Sequence, residues 1–219
     1  MFSREAVIWK GLHHPFLLPF LGIDLETFPG FTCLVAPWMR NGTLRAYLSS
    51  HSNVNADQRV CLNAWFHETI LKMCLQLLEV AQAIEYLHSQ NIVHGDVRGV
   101  RNQPIIGRLL LITVHQQTNI LIDDEERACL GDFGLTALAE ATLTQSTTQR
   151  GSTRWMAPEL HSPKSFGLPK FQRTFATDVY AFACVILEVS NMCNSRIFVG
   201  IIQVTVVPLG LCRKPTVRP

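Results

Sequence analysis

The chain has 219 residues, of which 47% are hydrophobic and 16% charged, with a formal net charge of +2. That length and apolar share suffice to bury one sizeable core and exclude disorder throughout. A near-zero charge without a basic block leaves no electrostatic reason to expect nucleic acid or an anionic membrane as partner.

From the N-terminus, Val7, Ile8 and Leu12 recur at helical spacing behind Arg4 and Glu5, which predicts the end of an amphipathic helix stopped by His13, His14 and Pro15. Two β-like runs, FLLPFLGI and FTCLVAPWM, flank ETFPG with its turn residues Pro29 and Gly30, which predicts a hairpin. Gly42 and Thr43 precede a short helix, LRAYLSSH. A longer helical pattern, LQLLEVAQAIEYLHSQ, places Leu78, Ala81, Ile84 and Leu87 on one face. TNILID and ACLGDFG read as two short strands joined by a turn at Asp123 and Asp124, and a Ser/Thr-rich loop follows from Thr142 to Thr153. The last helix is TDVYAFACVILEV, with Thr177 as expected N-cap. Seven cysteines between Cys33 and Cys212 form no C-x-x-C pair, which points to reduced thiols in a cytoplasmic, intracellular protein rather than to disulfides or zinc. MFSREAVIWKGL lacks the uninterrupted apolar core of a signal peptide. The apolar tract from Ile197 to Leu211 contains Gln203 and Pro208 and is shorter than the ~20 residues a spanning helix needs, so no membrane is expected.

Four segments in a fixed order carry a resemblance: HGDVRG continued by TN where a family has H-R-D-L-K-x-x-N, then GDFGL, GSTRWMAPEL and TDVYAFACVILEV. Together they resemble the protein kinases, of the serine/threonine type and the tyrosine-kinase-like group in which fungal HGD kinases occur. The resemblance implies an α+β fold: a partial N-lobe of one helix and a β-hairpin with the hinge over residues 1–40, on an incomplete, mainly helical C-lobe over 41–189. It implies transfer of the γ-phosphate of ATP to serine or threonine of a protein substrate, with Mg²⁺. Asp96 then accepts or orients the substrate hydroxyl proton, Arg98 neutralises the transferred phosphate, and Asn119 and Asp132 hold Mg²⁺. Ser152 matches the activation-segment hydroxyl that contacts the catalytic aspartate. Ala36 aligns with the gatekeeper, Pro37 and Met39 with the hinge, where the Met39 N–H is the donor adenine needs, and Leu121 with the floor under the ring. Glu5 aligns with the helix glutamate that pairs with a strand lysine. His94 aligns with a position that packs rather than ionises. Gly95 replaces an arginine that clamps phosphorylated activation loops, so control at Ser146, Thr147 or Thr148 is less expected.

The chain also departs from that pattern. The lysine-bearing strand and the glycine-rich loop would precede Met1, the partner of Glu159 is not seen, and residues 190–219 read as a tail outside the family. Residues 100–117 separate Asp96 from Asn119; removing them leaves HGDVRGTNILID, an intact loop. Closing the longer loop costs only about 1–2 kcal/mol more by the logarithmic rule, so burial of its LLLITV run is the stronger obstacle. Val100-Arg101 and Gln117 can be encoded by codons that also spell intron boundaries, as can Val189-Ser190, and Val60-Cys61 would open a third interruption at CLNAWFHETILKMC. The reading is of a kinase domain whose chain is inactive as written, with a kinase-like binding module or scaffold, or a mis-spliced fragment, as alternatives.

Overall fold

The computed structural model describes residues 2–51, 62–99, 119–132, 137–138 and 153–192. All of segment 100–117, most of the tail, Ser152 and the candidate phosphorylation sites at 146–148 therefore lie outside the described residues.

Helix α1 (Phe2–Lys10) ends earlier than its apolar spacing suggests. Ala6, Trp9 and Leu12 are the buried residues, whereas Val7 is 73% exposed. Trp9 sets this facing, because its indole Nε1 donates to the Leu18 carbonyl at 2.6 Å and a buried tryptophan must satisfy that donor. The hairpin forms between β1 (Gly22–Asp24) and β2 (Cys33–Val35), antiparallel with Ile23 opposite Leu34. Its turn is closed by Phe31 N–H donating to the Phe28 carbonyl at 3.0 Å, with Gly30 at φ 85 after Pro29, the order a type II turn requires. The strand is shorter than the run FLLPFLGI because Phe16 and Leu18 exchange backbone hydrogen bonds with Leu130 instead.

Helix α2 (Leu44–His51) starts where Thr43 Oγ1 accepts the Ala46 N–H at 3.2 Å, an N-cap. Helix α3 (Leu62–Ser89) is continuous and buries Ile70, Met73, Leu77, Val80, Ala81, Ile84 and Leu87, while Leu78 is only half-buried. From Ile70 onward the stretch that Val60-Cys61 would open lies in this helix and in the same core. Strand β3 (Ile92–Val93) pairs with β6 (Ala137–Leu138), and β4 (Ile120–Ile122) pairs with β5 (Ala128–Leu130). The turn between β4 and β5 is built by Asp123, whose Oδ1 accepts the N–H groups of Glu125 and Arg127 at 3.0 and 2.8 Å. Helix α4 (Pro158–His161) opens with proline at its first position.

Helix α5 (Phe175–Met192) starts two residues before Thr177 and runs past Val189. Its cap is Thr174, not Thr177. The Thr174 N–H donates to Thr177 Oγ1 at 2.9 Å and the Thr177 N–H to Thr174 Oγ1 at 3.4 Å, so a threonine at the third helical position plays the return role of a capping box. One apolar core joins α1, α2, α3, α5 and the β4–β5 ribbon, with Met73 and Leu87 at its centre. No helix among the described residues is long and apolar enough to cross a membrane.

Two substitutions test this account. Met73→Ala removes a side chain 1% exposed and is expected to cost about 2–5 kcal/mol in urea unfolding. Thr174→Ala removes one half of the reciprocal cap and should cost about 1 kcal/mol, read in the same titration.

Candidate active site

The loop from His94 to Gly99 leaves the buried strand β3 and is held from below by α5. Asp178, in the first turn of that helix, has a carboxylate 1% exposed. Its Oδ2 accepts the His94 N–H at 2.9 Å and lies 3.0 Å from His88 Nε2, and its Oδ1 accepts the Gly95 N–H at 2.8 Å. The positive end of the helix dipole further favours the charge there. Gly95 adopts φ 78, a left-handed conformation that glycine takes without steric cost. His94 is fully buried; its Nδ1 accepts the Asp96 N–H at 3.2 Å, which leaves Nε2 as the protonated nitrogen facing the Gly131 carbonyl at 3.1 Å. The ring thus acts as a strut between the loop and the segment that carries Asp132.

Four of the expected site residues meet above this base. Asn119 Nδ2 donates to the Asp96 carbonyl at 2.6 Å and to Asp96 Oδ2 at 3.1 Å. That orientation leaves the Asn119 carbonyl oxygen as the atom for a hard cation. Arg98 places one guanidinium nitrogen 3.1 Å from Asp96 Oδ2 and 3.6 Å from Asp132 Oδ2. Burial raises the Asp96 carboxyl above the ordinary aspartate range, against the lowering effect of Arg98, His94 and the Asn119 hydrogen bond. Arg98 is itself buried, and its Nε has no acceptor. Asp132 is different: its side chain is 51% exposed and its backbone sits at φ 61, an uncommon conformation for a residue other than glycine. Oxygen donors at Asn119 and Asp132, one of them open to solvent, fit Mg²⁺, which keeps several waters and takes few protein ligands. No cluster of three or more acidic, histidine or cysteine ligands occurs among the described residues.

At the other end, Ala36, Pro37 and Met39 are half-buried on the segment leaving β2, and Leu121 lies on β4. Ala36, Met39 and Leu121 all pack against the core, and Thr43 forms a bridge with Leu121. The Met39 carbonyl accepts the Gly42 N–H at 3.0 Å, turning the chain into α2. Trp38 is 82% exposed. Glu5 lies on α1, and Ser152 is outside the described residues. Glu159 is half-buried and has no ion-pair partner among the described residues. Sequence reading singled out neither Asp178 nor Arg173. The first sits inside the quoted TDVY segment, whose helical pattern masked its separate role, and the second belongs to no motif.

A family model described as protein tyrosine and serine/threonine kinase matches residues 1–103 and 113–206. Among curated proteins, the chain is 28% identical over 190 residues to the serine/threonine/tyrosine-protein kinase HT1 of Arabidopsis thaliana, covering 87% of this chain and 38% of that protein. It is 30% identical over 199 residues to an L-type lectin-domain containing receptor kinase of the same plant, covering 89% and 24%. It is 26% identical over 187 residues to the plant's serine/threonine-protein kinase STY17, covering 85% and 26%. The chain thus spans less than two fifths of the length of each of these relatives. With the loop around Asp96 and the matched segments on both sides of it, the chain belongs to the protein tyrosine and serine/threonine kinase family.

Proposed function

We propose that this domain transfers the γ-phosphate of ATP to serine or threonine hydroxyls of a protein substrate, in place of the inactive chain expected from the sequence. The observation that carries the reading is the convergence of Asp96, Arg98 and Asn119 within hydrogen-bond distance, although Asn119 lies 23 residues after Asp96. Phosphoryl transfer asks the protein mainly for position and charge. Asp96 takes the hydroxyl proton, and its Asn119 hydrogen bond fixes the carboxylate against rotation. Arg98 supplies positive charge to the oxygens of the moving group. Asn119 and Asp132 would hold Mg²⁺, which would supply positive charge against the phosphates. The resemblance assigns Ala36, Pro37, Met39 and Leu121 to the adenine slot, Glu5 to the helix glutamate that pairs with a strand lysine, and Ser152 to the activation-segment hydroxyl that contacts the catalytic aspartate. The fungal-type HGD wording and the W-M-A-P-E segment support serine/threonine preference, while the name of one relative includes tyrosine.

A second reading, a kinase-like binding module without turnover, is favoured by one observation. Arg98 pairs with both Asp96 and Asp132, so the carboxylate assigned to the metal already has a side-chain counter-ion. Incubating the chain with labelled ATP, Mg²⁺ and serine, threonine or tyrosine peptides separates the two. Label on serine or threonine, reduced about 10²–10⁴-fold by Asp96→Asn, is expected. A cooperatively melting chain that transfers nothing sinks the transferase reading.

The pH profile gives a further expectation. Asp96 must be ionised to accept a proton, and burial raises its pKa, so the rate falls on acidification at a higher pH than an ordinary aspartate would dictate. Arg98→Gln removes the neighbour that opposes this shift and should move the acid limb higher still in profiles normalised to their maxima.

A further inference from the structure

A cavity of about 30 Å³, partly open to solvent, lies beside Asp96 between the catalytic loop, the segment at Trp155 and Met156, and the start of α5. Its charged lining is Asp96, Arg98, Arg173 and Asp178. Three of these are compensated: Asp178 by its backbone donors and His88, Asp96 by Arg98 and Asn119, and Arg98 by Asp96 and Asp132. Arg173 is not. It is half-buried, its guanidinium lies 5.2 Å from the centre of the Phe171 ring, and it has no hydrogen bond or ion pair among the described residues. Burial lowers its pKa, with Asp96 and Asp178 opposing. A half-buried guanidinium without a hydrogen-bonded protein acceptor is favoured by an anion that meets it.

We propose that Arg173 and its cavity form a specificity subsite for a carboxylate side chain, glutamate or aspartate, that flanks the acceptor hydroxyl in the protein substrate. This rests on the phosphotransfer reading above. The cavity walls are apolar at Trp155, Met156 and Leu160, which suits the methylenes of a glutamate. Its volume holds roughly two waters at ~10–15 Å³ each, the scale of a carboxylate head. Asp96 on the same lining brings the acceptor hydroxyl next to the acidic neighbour.

Serine peptides in which glutamate, glutamine, phosphoserine or lysine walks through the positions flanking the acceptor test this by fluorescence anisotropy on the full chain. At one position the glutamate peptide should bind about tenfold tighter than the glutamine peptide, as a charge-assisted pair predicts, and phosphoserine no better than glutamate. Arg173→Gln should erase that difference, Arg173→Lys should keep it, and Arg173→Glu should turn the preference toward lysine. Each variant's thermal melt identifies those that fold, and any one of the three suffices. Glutamate and glutamine peptides that bind alike at every position overturn the subsite, as does a preference that survives Arg173→Gln or a phosphoserine peptide that binds best. Phosphorylation of serine peptides regardless of neighbours sinks the subsite alone. Arg173-dependent acidic binding without transfer sinks the transferase reading alone.

Discussion

The Asp178 carboxylate is the constraint on which the site depends. A charge 1% exposed is tolerated only if its lone pairs are met, and here two backbone N–H groups, an imidazole nitrogen and a helix N-terminus meet them. Those partners are not incidental to the site. The two N–H groups belong to His94 and Gly95, so satisfying one buried charge fixes the backbone from which Asp96 projects. Removing the carboxylate would leave buried donors unpaired as well as freeing the loop, and both effects act at the same place. Helix α5 therefore serves as the floor of the site, and its reciprocal threonine cap fixes where that floor begins.

Above the floor, charge is distributed unevenly. Asp96 is buried and locked between Arg98 and Asn119, which suits a group that must be in one position when a hydroxyl arrives. Asp132 is half-exposed, held in a left-handed backbone conformation, and touches Arg98 only at 3.6 Å. A carboxylate held loosely in water can exchange its counter-ion at small cost, because exposed pairs contribute little. The same Arg98 guanidinium can thus face Asp132 in one state and a phosphate oxygen in another. His94 links the two regions, since its ring joins the Asp96 N–H to the Gly131 carbonyl immediately before Asp132.

Much of the architecture was legible in the chain because it rests on local chemistry. The Pro29-Gly30 turn and the Asp123 turn each depend on residues within a few positions of one another and form as expected, and the Thr43 cap is equally local. The errors fall where a distant partner intervenes. Val7 has the spacing of a core residue, but α1 is rotated by the bond from Trp9 to Leu18 and Val7 faces solvent. Phe16 and Leu18 have strand composition, yet they pair with Leu130 on the far ribbon rather than with the hairpin. Thr177 is a good cap by composition, and Thr174 takes that place because the chain before it enters the helix two residues sooner.

What the sequence by itself determined is the family, and it singled out Asp96, Arg98, Asn119 and Asp132 as candidate site residues because they lie in motifs whose order matches that family. Only the tertiary structure decided how those groups meet. Asn119 reaches Asp96 across the whole segment between them, Arg98 spans two carboxylates, and Asp178 binds the loop from 83 residues away. Arg173 is the clearest case. Nothing in its neighbours marks it, and its significance comes from packing that partly removes it from water while supplying no hydrogen-bonded anion, a property that exists only once the chain has folded.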